Sequence, residues 1–111
     1  MKDDTVYLRH ISECIRRIEE DVAGGRENFL ASHMVQDAVL RNLQTLAEAT
    51  QRLSDEAKAK HPEMAWRRIA ALRSVLVHNY LGIDLEAIWD MVQRDVPQLK
   101  RVIAVMLAEG T

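Results

Sequence analysis

With 111 residues, 48% hydrophobic and 29% charged, the chain has material for one buried core and not two, so residues 1–111 are expected to form a single domain. A net charge of -2 excludes a protein that coats nucleic acid through bulk positive charge, and any RNA contact has to be local. The opening MKDDTVYLRH has no apolar signal core, and the longest apolar run, residues 102–108, falls far short of the ~20 residues of a membrane span, so a cytoplasmic protein with no membrane partner is expected.

From Thr5 to about Val22 the positions Leu8, Ile11, Ile15, Ile18 and Val22 recur at three and four, the period of one helix face, until Gly24 and Gly25 stop the pattern. Cys14 lies within that face and reads as a small apolar core residue in a reducing compartment. Residues 26–31 suit a short helical turn, and Ser32 offers an N-cap to a second long helix carrying Val35, Val39, Leu43, Leu46 and Leu53. Ser54 or Asp55 can cap a further short helix, and Pro62 breaks the chain after His61. Trp66, Ile69, Leu72, Val75 and Leu76 define a third long helix ending near Tyr80. Gly82 supplies a stop, Asp84 a cap for a helix with Leu85, Ile88, Trp89 and Val92 inside, and Asp95 with Pro97 is expected to open a separate last helix. The five Met and two Trp read as packing residues. No window alternates with period two, so the expected fold is all-α, an antiparallel up-and-down bundle of four to five helices.

There is no Gly-rich phosphate loop, His-x3-His or Cys-x2-Cys metal pair, or Gly-x-Ser-x-Gly elbow, so neither a metal nor a cofactor is expected. What remains is the octapeptide RSVLVHNY at residues 73–80, an Arg-x4-His-x-Tyr pattern near a helix end. On 3.6 residues per turn, Arg73 and His78 point roughly 140° apart, whereas Tyr80 returns to within roughly 20° of Arg73. Either the helix loosens before Gly82, or a second copy of it crosses and supplies the missing partner; the second is preferred, since two-fold symmetry brings two Arg and two His into one cleft. His78 has the pKa range of a base for a ribose 2′-hydroxyl, and Arg73 the planar fork that binds a phosphate. By spacing alone, an Arg and a His near a helix C-terminus serve equally as partners for the free carbonyls and the macrodipole there.

Together with QDAVLRNLQTLAEATQRLS at 36–54, HPEMAWRRIAALRSVLVHNYLGIDLEAIWDMV at 61–92 and DVPQLK at 95–100, this motif resembles the HepT-like branch of the HEPN superfamily along most of the chain. The resemblance implies a HEPN-type bundle acting as the toxin of a prokaryotic toxin-antitoxin pair, a homodimer whose facing Arg-x4-His motifs cleave an RNA substrate without metal. It also implies that Arg73 and His78 are catalytic, and that a cognate minimal nucleotidyltransferase antitoxin transfers AMP from ATP to Tyr80. Relatives often carry Asn after the motif Arg and Phe after the Tyr, where this chain has Ser74 and Leu81. Ser74, Asn79, Arg41, Asn42 and Glu48 are expected to support the cleft, with a plain solvated face as the alternative for the last three. Lys60, Arg67, Arg68 and Arg73 outnumber Glu63 nearby, which makes a locally basic approach or an ordinary polar helix face. The competing functional readings are a non-catalytic nucleotide- or substrate-binding HEPN module partnering the nucleotidyltransferase, and a purely structural helical adaptor.

Overall fold

The computed structural model describes residues 4–78 and 84–109, with backbone alone for 74–78. Six helices follow one another: α1 Asp4–Asp21, α2 Arg26–Ala31, α3 His33–Gln51, α4 Asp55–Ala59, α5 Trp66–His78 and α6 Leu85–Glu109. The fold is all-α, as expected for a HEPN-type bundle: α3 packs between α1 and α5, α1 packs on α6, and α2 bridges α3 and α6. Asp4 at the start of α1 meets Ser54 just beyond α3, and α1 meets α6 at Leu8 beside Met106 and at Glu19 beside Lys100, earlier in α6, so α1 runs antiparallel to both.

Each turn has a local cause. Gly25, the N-cap of α2, has φ 94°, a left-handed conformation that a Cβ would strain. Gln36 Nε2 donates to the carbonyls of Phe29 and Leu30 at 2.9 and 3.1 Å, satisfying acceptors that the end of α2 leaves open. Ser32 and Ser54 cap α3 and α4 by accepting from Val35 N and Ala57 N. Trp66 Nε1 donates to Lys58 O and His61 O, which ties the start of α5 to the end of α4. Asp84 Oδ1 accepts from Glu86 N and Ala87 N and caps α6.

The core is the expected set: Leu8, Ile11, Cys14, Ile15 and Ile18 of α1 bury against Val39, Leu43 and Leu46 of α3, with the Phe29 and Trp89 rings 5.6 Å apart and tilted by 37°. Two expectations fail. The last 25 residues of helix are one element, with Pro97 inside it, rather than two helices meeting at Asp95. Pro97 lacks the N–H for the Gln93 carbonyl, at a cost of about 3 kcal/mol in an isolated helix. The buried stripe Ile88, Val92, Val96, Leu99, Ile103 and Met106 nonetheless runs unbroken through it, and each side chain contributes about 1.5–3 kcal/mol. Burial on both sides of the proline therefore outweighs the local break. The second exception is Met34, which is 76% exposed, while Met64 and Met106 are buried as expected.

Among the described residues, no helix is long and apolar enough to cross a membrane.

Candidate functional site

Arg73 stands on the exposed side of α5, one residue beyond the buried Leu72 that fixes the helix face. Its guanidinium reaches across to α3: Nε lies 3.3 Å from Glu48 Oε2, and Nη1 donates to Gln51 Oε1 at 3.2 Å. Glu48 and Gln51 are three residues apart, one turn of α3, so their side chains hold the guanidinium at two of its three nitrogens, Nε and Nη1. The Nη2 end is the one they do not hold. Both members of the pair are about half exposed, 49% for Arg73 and 51% for Glu48, so the contact sets orientation more than it adds stability.

Helix α5 continues without interruption to His78, so Arg73 and His78 lie on one continuous helix, five residues and about 7.5 Å of rise apart. The side chains of Ser74 and His78 lie outside the described residues, as do Asn79, Tyr80, Leu81 and Gly82 altogether. The expected alignment of Tyr80 with Arg73 therefore falls outside the described residues. Of the three residues assigned to α3, Glu48 is brought to Arg73. Asn42 instead donates through Nδ2 to Ala38 O of its own helix at 3.0 Å. Arg41 is exposed, two turns back from Glu48 along α3.

The basic approach to the motif is partly neutralised. Arg68 Nη2 sits 3.1 Å from Asp95 Oδ2 on α6, and Arg73 is engaged by Glu48, which leaves Arg67 and Lys60 as exposed cations of that group. Among the described residues, no group of three or more His, Cys, Asp or Glu side chains is placed to hold a metal ion.

Sequence reasoning did not single out Gln51 or Arg52. Both line the hollow of about 200 Å³ that Glu48 and Arg73 also line. The available signal was their spacing from Glu48, i+3 and i+4, which puts all three on one face of α3. What spacing within α3 does not convey is that this face turns toward α5.

The family model described as Ribonuclease HepT-like matches residues 11–106. The protein named Probable ribonuclease HepT of Thermococcus cleftensis is 39% identical over 95 residues, which covers 85% of this chain and 86% of that protein. A protein of Caldanaerobacter subterraneus subsp. tengcongensis that carries an RNase name is 32% identical over 108 residues, 96% of each chain. A protein of Methanocaldococcus jannaschii whose name joins gamma-glutamylcyclotransferase and RNase is 37% identical over 109 residues, and the match spans only 49% of its length. No solved structure gives a match.

Proposed function

Because the chain belongs to the ribonuclease HepT-like family, we propose that it is a metal-independent endoribonuclease toxin, with Arg73 and His78 as its catalytic residues. The observation that carries this reading is the clamp on Arg73: Glu48 and Gln51 hold Nε and Nη1 of a half-exposed guanidinium on the same helix as His78 and leave Nη2 for a phosphate. In this scheme the His78 imidazole takes the proton of a ribose 2′-hydroxyl, and the 2′-oxygen attacks the adjacent phosphorus. The bond from phosphorus to the 5′-oxygen breaks, leaving a 2′,3′-cyclic phosphate and a 5′-hydroxyl. Arg73 binds the non-bridging oxygens through paired N–H groups and offsets the charge that develops there.

Within a straight helix the directions of Arg73 and His78 diverge by roughly 140°, so one protomer cannot turn both toward one phosphate. A homodimer resolves this: Arg73 of one protomer and the partner subunit's His78 face the same phosphodiester, and that imidazole, having taken the 2′-hydroxyl proton, passes it to the leaving 5′-oxygen. Control follows from the tyrosine two residues beyond His78. A cognate nucleotidyltransferase antitoxin lets the Tyr80 oxygen attack the α-phosphorus of ATP, and pyrophosphate and the phenolic proton leave. The resulting AMP group places negative charge and bulk beside Arg73, where substrate phosphate should bind.

The test is RNA cleavage by the purified chain in excess EDTA, with product ends determined. Arg73→Ala and His78→Ala are each expected to lower the rate at least 100-fold while the dimer persists in sedimentation. Co-production with the nucleotidyltransferase should add AMP mass to the Tyr80 peptide and relieve growth arrest. Cleavage retained in both variants would remove the assignment. A chain that binds nucleotides but neither cleaves RNA nor arrests growth would be the non-catalytic module instead.

A further inference from the structure

Beside Arg73 the surface continues. Glu48 of α3 and Arg52, the C-cap four residues on, line two adjoining hollows. The first, on the α5 side, is the one shared with Gln51 and Arg73. The second, about 240 Å³, lies on the α1 side and is formed with Tyr7, His10, Thr45 and Ala49. Helix α3 is thus a low divide, and Arg52 stands on it with access to both sides. Arg52 is exposed, and its side chain makes no hydrogen bond or ion pair with the described residues. A guanidinium without a partner among the described residues, next to one already clamped by a carboxylate, is a second point at which a phosphate can bind. Across the divide, His10 is exposed, and Thr45 donates its hydroxyl hydrogen to Arg41 O at 2.8 Å, which leaves the oxygen able to accept from a ribose hydroxyl.

Resting on the ribonuclease reading above, we propose that Arg52 binds a phosphate flanking the scissile one and that the RNA strand runs from Arg73 across α3 into the hollow beside His10 and Thr45. Charge selects this occupant. The crossing presents two guanidinium groups against one carboxylate, Glu48, and that carboxylate is already engaged by Arg73. The chain as a whole is acidic, so a cationic step continuous with Arg73 is where a polyanion can be held.

The experiment measures binding of a fully 2′-O-methylated oligoribonucleotide, which 2′-hydroxyl chemistry cannot cleave, over a salt series. Wild-type, Arg52→Gln and Arg52→Lys are compared with Arg101→Gln, an equal loss of charge at an exposed position of α6. Arg52→Gln should weaken binding about three- to ten-fold near 0.1 M salt and reduce the slope of log K against log salt by about 0.7, the share of one phosphate on a single strand. Arg52→Lys should keep most of the slope, and Arg101→Gln should change neither quantity. Indistinguishable effects of Arg52→Gln and Arg101→Gln, or none from either, overturn the strand path. So does a loss confined to association with the nucleotidyltransferase, which would make the hollow a protein-docking surface. Cleavage of unmodified RNA by wild-type protein is scored separately: Arg52-dependent binding without cleavage rejects the ribonuclease and keeps the path, and cleavage with Arg52-independent binding does the reverse.

Discussion

Glu48 has two opposing effects on Arg73. It aims the guanidinium by an ion pair at 3.3 Å from Nε, and it places a negative charge where substrate phosphate would approach. Removing it should separate the two. For Glu48→Ala, RNA is expected to bind more tightly because a repelling carboxylate is gone, while kcat falls on the order of 10-fold or more because the fork is no longer held. Glu48→Gln keeps an acceptor oxygen without the charge, and should recover most of kcat while retaining the tighter binding. Stability should change by less than about 1 kcal/mol in either variant, since the pair is half exposed. Equal losses in KM and kcat for Glu48→Ala would show that the residue does not position Arg73.

At the scale of elements, the start of α1 and the start of α4 share one polar joint. Asp4 accepts from Ser54 N at 3.0 Å through Oδ1 and from Ser54 Oγ at 2.7 Å through Oδ2, while Ser54 Oγ accepts from Ala57 N at 3.1 Å. One hydroxyl thus caps α4 and ties it to a helix 50 residues away in sequence. Ser54→Ala removes the cap and a charge-assisted hydrogen bond together, and should cost about 1–3 kcal/mol in urea unfolding with no change in kcat. A loss under about 0.5 kcal/mol would mean that water replaces the joint freely. The same scale explains why α6 ignores Pro97. Local rules weigh one missing hydrogen bond, whereas the helix as a unit weighs a buried stripe from Ile88 to Met106.

For the molecule as a whole, His61 closes one end of the bundle. It is buried, with Nε2 3.1 Å from Glu109 Oε1 at the end of α6 and Nδ1 3.3 Å from Glu63 Oε2. The Glu109 contact raises its pKa above the ordinary value; burial opposes this, and Glu63 adds to it. A histidine whose pKa is higher folded than unfolded contributes stability in full below its unfolded pKa of about 6.5, and loses it as pH rises through the folded value. Wild-type protein should therefore melt at a higher temperature at pH 6 than at pH 8.5, and His61→Gln should flatten that difference. An unchanged pH profile in the variant would place the dependence elsewhere. His61 carried no sequence signal beyond its position before Pro62, because its partners are 2 and 48 residues away and the second is set only by docking α6.

By itself, the sequence determined what depends on neighbours a few residues apart: the helix faces, the serine cap at 32, a cap at either 54 or 55, the glycine stop at 24 and 25, the all-α class, and the likeness that led to the family. Helical period and capping are local physics, so they are written locally. Only the tertiary structure decided that α6 is continuous, that Asp4 reaches Ser54, that Glu48 and Gln51 rather than Asn42 meet Arg73, and that Arg52 faces two hollows. Each of these depends on how one helix is rotated and seated against another. That rotation is set by the summed burial of the whole core, and no single segment contains it.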